Sequence, residues 1–343
     1  MSAHIPSVHF TRAALVEVSS ASKDKARVSA KLDAELVRRK LDPHGPAFKP
    51  DRTMFKGKFL WFRPRMIGAV AAYAALTGMT HHDIRKNGGL ELFRILWFLG
   101  AAQDDLIDAA VAGEGNMRTV LRKAIFGPDR VFYRAAFTVF ARELHNSAFA
   151  EEAKRYLRRK ARGWYRFLLD QEADVLQKTV TDFSFAFCVN YRENQNRMIG
   201  ELLTACLSWS HCLHAPFKRL EGVLPTLSYR TQIVDDIADI AEDMRALRPS
   251  YCIGALVDNP DEFARVKAYV TTRTVGKVTP RLFRRLAPRS YDLVREKYSL
   301  YGAELRRAHK AGSFLSMVGD MLFGGFPVIR DVVYRISPHL ANF

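Results

Sequence analysis

Cysteine is scarce in this chain: four among 343 residues, Cys188, Cys206, Cys212 and Cys252, with no Cys-x-x-Cys spacing. A disulfide framework and a cysteine-ligated zinc site are thereby excluded, and the four read as reduced core residues of a cytoplasmic protein. The N-terminus, Met-Ser-Ala-His-Ile-Pro-Ser, lacks the apolar stretch of a secretory leader. No unbroken apolar run reaches the roughly 20 residues of a spanning helix. The nearest, from Phe314 to Ile329, is interrupted by Asp320 and by Gly-Gly-Phe-Pro, so it is read as touching a membrane surface at most. Alternating strand patterns and repeats of fixed period are missing as well, which argues against β architectures and solenoids. Acids are outnumbered, 36 Asp and Glu against 53 Lys and Arg, for a formal net charge of +17. The densest basic region, Arg265 to Lys310, interleaves its charges with Leu, Val, Phe and Tyr at helical spacing and has no nucleic-acid-binding signature. It reads first as a solvated helix face, with attraction for anionic headgroups or a diphosphate as the alternative, and no nucleic-acid partner is expected.

What is present is more specific. Asp104-Asp105-x-x-Asp108 and Asp235-Asp236-x-x-Asp239 repeat one spacing 131 residues apart. At this aspartate content one such pattern arises by chance in roughly one chain in ten, and two in about three chains in a thousand, which favours a functional origin. On a helix, positions i and i+4 share a face and i+1 lies about 100° round, so each motif gathers its carboxylates on a rigid element. Such a cluster repels itself unless a cation sits in it. Aspartate oxygens suit Mg²⁺, which takes few carboxylates per ion and completes its shell with water and phosphate oxygens. Leu96-Trp97-Phe98-Leu99-Gly100-Ala101-Ala102 leads into the first motif and Gln232-Ile233-Val234 into the second, so the acids end buried faces. Glu242 and Asp243 follow one turn beyond and are expected to be solvated. His81-His82 offers no trusted ligand spacing.

With 48% hydrophobic residues the chain can bury one large core. Residues 1–50 are polar and basic, with a helix expected from Ser22 to Leu41 ended by Asp42-Pro43-His44-Gly45-Pro46, and read as a semi-detached arm. Residues 51–343 read as a single all-α domain, a helical bundle around a central cavity. Its helices are expected at Met66–Leu76, from Thr80 through Ile84, Leu90–Ala112, Arg130–Asn146, Glu151–Lys178, Phe183–His214, Val223–Ala246, Glu262–Thr272, Arg289–Ala311 and Phe314–Arg335.

With both motifs placed on helices, the chain resembles the trans-isoprenyl diphosphate synthase family, of the class I terpenoid synthase fold. That family carries two such motifs on facing helices, the second usually preceded by Phe-Gln-Ile. Here Thr231-Gln232-Ile233-Val234-Asp235-Asp236-Ile237-Ala238-Asp239 reproduces all but the Phe. Gln171-x-x-Asp174 looks like the family's Gln-x-x-Asp between the motifs. Arg248-Pro249-Ser250-Tyr251 falls at its diphosphate-holding segment, and Arg63-Pro64 resembles the end of its Gly-Lys-Arg-x-Arg-Pro. The similarity covers roughly residues 55 to 270. It implies Mg²⁺, conventionally three ions held by Asp104, Asp105, Asp108, Asp235, Asp236 and Asp239, an allylic prenyl diphosphate as substrate, and a homodimer. Arg197 and Arg248 are the candidates for direct diphosphate contact, with Gln171, Gln232 and Tyr251 in its surroundings.

The departures matter equally. Chain-elongating members bind isopentenyl diphosphate through basic residues in Gly-Lys-Arg-x-Arg-Pro and in an Arg-Arg-Gly after the first motif. Leu60 and Trp61 replace the Lys and Arg, Arg-Arg-Gly is missing, and the family's Lys-Thr before a Gly is Met198-Ile199 before Gly200. A second diphosphate in low-dielectric surroundings needs placed cations, so the pattern favours a one-substrate terpene synthase that ionises an allylic diphosphate and guides the cation to a cyclised or rearranged product. Phe98, Leu99 and Gly100 would line the prenyl pocket. A Gly where short-chain members commonly carry an aromatic implies a deep pocket and a C20 or longer substrate. Trp97, Phe183, Phe187 and Tyr191 could shield the cation, although each is more often simple core. The rival readings are a prenyltransferase in which Lys56, Lys58, Arg118 and Arg122 rebuild the missing cationic site, and a non-catalytic helical partner subunit.

Overall fold

A computed structural model of the chain describes residues 27, 30–40, 42, 89, 91–92, 95–96, 130–175, 177–209, 215–246, 248–272 and 278–308. Helix dominates these residues and none lies in a strand, which agrees with the all-α expectation. Among them no helix is long and apolar enough to cross a membrane. Two compact units divide the chain, one from Met1–Phe167 and Leu202–Leu220, the other from Leu168–Glu201 and Glu221–Phe343.

Unit 1 contains α1 (30–38), a helical stretch that includes residues 89, 91, 92, 95 and 96, α2 (Arg130–Asn146), most of α3 (Glu151–Val175) and the end of α4 (Phe185–Trp209). The apolar spacing that marks α2 in the sequence is the face that packs: Ala135, Val139, Phe140 and Leu144 are all buried. The segment read as a semi-detached arm is anchored over its described helix. Leu32 and Leu36 are buried, and Lys31 donates to Glu91 at 2.8 Å and Glu143 at 2.7 Å. Glu35 is fully buried and accepts from Arg38, Arg39 and Arg142. The Arg38 guanidinium, helped by Arg39 and Arg142 against the cost of burial, holds its carboxyl down at about 2. Glu91, Glu143 and Arg142 are 60 to 112 residues from the groups they meet, and an N-terminal sequence window cannot display them.

Unit 2 continues with the end of α3, a 3₁₀ turn at Val180–Asp182, most of α4, and α5 (Ala215–Ala238) from Glu221 onward. It is completed by α6 (Ile240–Ala246), α7 (Tyr251–Val257), α8 (Pro260–Thr272), α9 (Pro280–Leu286) and α10 (Pro288–Ala308). Here α4 and α5 run antiparallel: Gly200 faces Pro225, Ser228 donates to Asn196 at 2.7 Å, and Arg192 reaches Asp236. Pro225 lies inside α5. A Cβ on Gly200 would come within 2.7–2.8 Å of the Pro225 ring and backbone nitrogen, so only glycine admits this crossing. Gly200→Ala is therefore expected to lower stability by about 1–3 kcal/mol through overpacking, read as a lower urea midpoint at unchanged m-value.

Two helices escape the sequence pattern, α7 and α9, each only two turns long. The whole of α7 from Tyr251 to Leu256 is buried, and a helix apolar all round has no amphipathic period to detect. Its ends are local chemistry: Ser250 accepts from the Ile253 N–H at the N-cap, and the Asp258 N–H closes the C-terminus on Gly254. Gly254 lies against the backbone of Phe185 and the Cys188 side chain, where a Cβ would sit at 2.8–2.9 Å. In α9, Thr279 caps and Pro280 opens the first turn. Glu262 of α8 accepts from the Arg289 and Ser290 N–H groups and the Ser290 hydroxyl at the N-terminus of α10. Burial alone would raise its pKa; those donors bring it below the ordinary glutamate value.

Cys188, Cys206 and Cys252 are buried free thiols, and burial pushes the Cys188 pKa up to about 12. They are core residues, as expected, while Cys212 lies outside the described residues. The expected helices at Met66–Leu76, Thr80–Ile84 and Phe314–Arg335 also fall there, as does most of Leu90–Ala112.

Candidate functional site

The second acidic motif occupies the C-terminal end of α5. The helix breaks at its last residue: the Ala238 carbonyl accepts the Val278 N–H at 3.0 Å, while the N–H groups of Glu242 and Asp243 both turn to the Asp239 carbonyl. The single helix expected from Val223 to Ala246 is consequently two, ending at Ala238 and restarting at Ile240. Because the Asp239 N–H still bonds the Asp235 carbonyl at 2.9 Å, Asp235 and Asp239 stay one turn apart on a partly exposed face.

Asp236, about 100° round from Asp235, is 1% exposed. Its Oδ1 accepts from Gln232 Nε2 at 2.7 Å and lies 3.0 Å from Arg192 Nη2. Its Oδ2 accepts from Arg192 Nε at 3.2 Å and from the Tyr251 N–H at 2.8 Å. Four donors fill both oxygens. In this geometry Asp236 ties α4, α5 and the start of α7 together, and metal ligation by it would require breaking one of those bonds.

Asp243, expected to be solvated, is also buried, 3.9 Å from Arg192 Nη2. One of its oxygens, Oδ2, has no hydrogen-bond partner. One guanidinium thus serves two buried carboxylates. Burial raises the pKa of both, and that of Asp243, with Asp236 adding to the effect and Arg192 and Ser250 opposing it, goes to about 8. The four bonds to Asp236 favour it as the ionised member, so Asp243 carries the proton at neutral pH. A carboxyl whose folded pKa lies above its unfolded one holds a proton that the unfolded chain has released. Stability is then expected to fall as pH rises from the ordinary aspartate range toward 8. Asp243→Asn should flatten that slope, measured as urea midpoints of both proteins at pH 5, 6.5 and 8.

The other expected site residues are distributed as follows. Gln232 is bound to Asp236. Tyr251 is fully buried; its hydroxyl meets Tyr301 at 3.2 Å, and Tyr301 in turn donates to Glu193, which pairs with Lys297. The Tyr251 hydroxyl therefore faces a tyrosine inside the core, and only its backbone N–H reaches the motif. Arg248 lies between α6 and α7, half-buried, its N–H donating to the Asp243 carbonyl at 2.9 Å. Arg197 is on α4 beyond Arg192, with 57% of its side chain exposed and Glu201 3.9 Å away; five residues on, it points about 140° from the Arg192 direction. Gln171 is on α3, its side-chain oxygen buried without a hydrogen bond. Phe183, Phe187 and Tyr191 stack in a ladder with centroids 5.8 and 6.4 Å apart, the first and last buried in the core. Asp104, Asp105, Asp108, Phe98, Leu99 and Gly100 lie outside the described residues, as do Trp97, Lys56, Lys58, Arg118 and Arg122.

Sequence reasoning missed Arg192, the cation on which the site is organised. Its signal was available: it lies four residues from Cys188 and four from Asn196, on a face whose other members are buried.

Hard carboxylate oxygens are the right donors for Mg²⁺, and the partly exposed Asp235 and Asp239 fit that role as a pair; Asp236 does not without rearrangement. Among the described residues no three His, Cys, Asp or Glu side chains converge as a metal site. Comparison of the chain with protein-family models, with curated proteins and with solved structures finds no match.

Proposed function

We propose that the chain is a Mg²⁺-dependent class I terpene synthase that ionises an allylic prenyl diphosphate to a cyclised or rearranged product. The observation that carries this reading is the duplicated Asp-Asp-x-x-Asp spacing, whose second copy presents Asp235 and Asp239 together while Asp236 is clamped by Arg192. In this reading Asp235 and Asp239 hold metal and Asp236 positions their helix end. Asp104, Asp105 and Asp108 would supply the first metal-binding cluster, as their matching spacing and the resemblance imply. Bound Mg²⁺ supplies Lewis-acid stabilisation of the departing diphosphate. Arg248, beside Asp243, is better placed than Arg197 for a diphosphate near this end of α5.

The test is incubation of the purified chain with Mg²⁺ and each of the C10, C15, C20 and C25 allylic diphosphates, with and without isopentenyl diphosphate, followed by mass analysis of hydrocarbons and of phosphatase-released alcohols. Hydrocarbon or terpene alcohol without the co-substrate is the expected result, with C20 or longer preferred. Longer prenyl alcohols appearing only with the co-substrate would replace this reading by an elongating prenyltransferase. No product from any substrate would leave the non-catalytic subunit.

A further inference from the structure

One feature of unit 1 takes no part in this site. Along α3, Arg155, Arg159, Arg162 and Arg166 are all exposed. Their spacing of four, three and four residues keeps them within a narrow arc of the helix, and the row spans about 16 Å. From Lys154 to Leu169 the sequence holds seven Lys or Arg and no acid. Like charges at i and i+4 oppose a helix; carboxylates stand one turn from the two ends of the row, Glu151 before Arg155 and Asp170 after Arg166, and none lies between. A stretch selected only for a solvated surface would mix the signs.

We infer that this row is a docking face for an anionic lipid surface. Charge complementarity requires a polyanion. Single-stranded nucleic acids are commonly held by exposed aromatic side chains interleaved with the basic ones, whereas along this stretch Trp164 is buried and Tyr156 and Phe167 are half-buried. A lipid surface has no such requirement, because mobile headgroups can come to each guanidinium in turn. The choice of a membrane over other polyanions also rests on the proposed substrate, whose hydrocarbon tail partitions into bilayers. The attraction is carried by the guanidinium charges, so the contact weakens with salt.

The test uses the full chain and vesicles of phosphatidylcholine with or without phosphatidylglycerol, at 0.1 and 0.5 M NaCl, with binding read by co-sedimentation. Binding is expected only to the anionic vesicles and is expected to fall at high salt. Each arginine removed should weaken it about fivefold. R155A/R159A and R162A/R166A should then each lose about 25-fold, and the four-alanine variant more than about a hundredfold, with an unchanged melting temperature. Replacement of all four by lysine should keep most of the binding. Equal affinity of wild type and the four-alanine variant overturns the inference, and so does a loss that follows Arg281, Arg284 and Arg285 of α9 instead. Nucleic acid bound at physiological salt and not displaced by anionic vesicles would overturn it in favour of that partner. Vesicle binding is measured without turnover, so the failure of this inference and the failure of the proposed activity are separately visible.

Discussion

Arg192→Met is expected to cost about 3–5 kcal/mol of unfolding free energy. The reason is the two buried carboxylates that share its guanidinium, Asp236 at 3.0 Å and Asp243 at 3.9 Å. Removing the cation leaves an uncompensated buried anion, whose desolvation is no longer offset. Arg192→Lys should recover only part of the loss, because a single ammonium cannot meet both oxygens of Asp236 as the Nε and Nη2 donors do. The decisive comparison is the double variant Arg192→Met with Asp236→Asn. The Tyr251 N–H can keep the one amide oxygen and Gln232 can turn its own oxygen to the amide NH2, so the double variant should be less destabilised than the two single changes added together, by about 1–3 kcal/mol. Urea denaturation of the four proteins measures this coupling. Strict additivity would mean that the pair contributes nothing beyond its separate members.

The second large effect separates the three acids of one motif. Asp235→Ala and Asp239→Ala are each expected to reduce Mg²⁺-dependent product formation by at least about a hundredfold, the usual scale for removing a group that stabilises transition-state charge. Both side chains are partly exposed, so the loss of stability should be well below that of Asp236→Ala. Loss of like-charge repulsion across one turn would even favour the helix slightly. Asp236→Ala should instead unfold the region, because it leaves Arg192 and the Tyr251 N–H buried without their acceptor. Unchanged turnover in both Asp235→Ala and Asp239→Ala would remove the metal-binding reading of this motif. Equal destabilisation by all three would mean that the motif is structural throughout.

Much of this architecture was legible in the chain. Arg130–Asn146 coincides with α2 because its apolar residues recur at helical spacing and its packing face is the one that the spacing marks. The ends of α3, α4, α8 and α10 lie within a few residues of their expected bounds, set by Pro260, Pro288 and similar local signals. The α5/α6 break was not legible, because it depends on the Val278 N–H taking the Ala238 carbonyl from 40 residues along the chain. α7 was missed for a different reason, its uniform burial.

By itself, then, the sequence determined that the chain is helical, where most of its helices run, and that two identically spaced acid triplets end apolar stretches. Those properties are local and periodic, and a chain carries them in the order of its residues. Tertiary structure decided which acids of the second triplet face water and which becomes a clamp. It also brought Arg192 to Asp236 across 44 residues and buried Asp243 beside it. Spacing says only that Asp235 and Asp239 share a face; what that face meets depends on the neighbouring helices, and it is tertiary packing that buries Asp236 among its donors while Asp235 stays partly exposed.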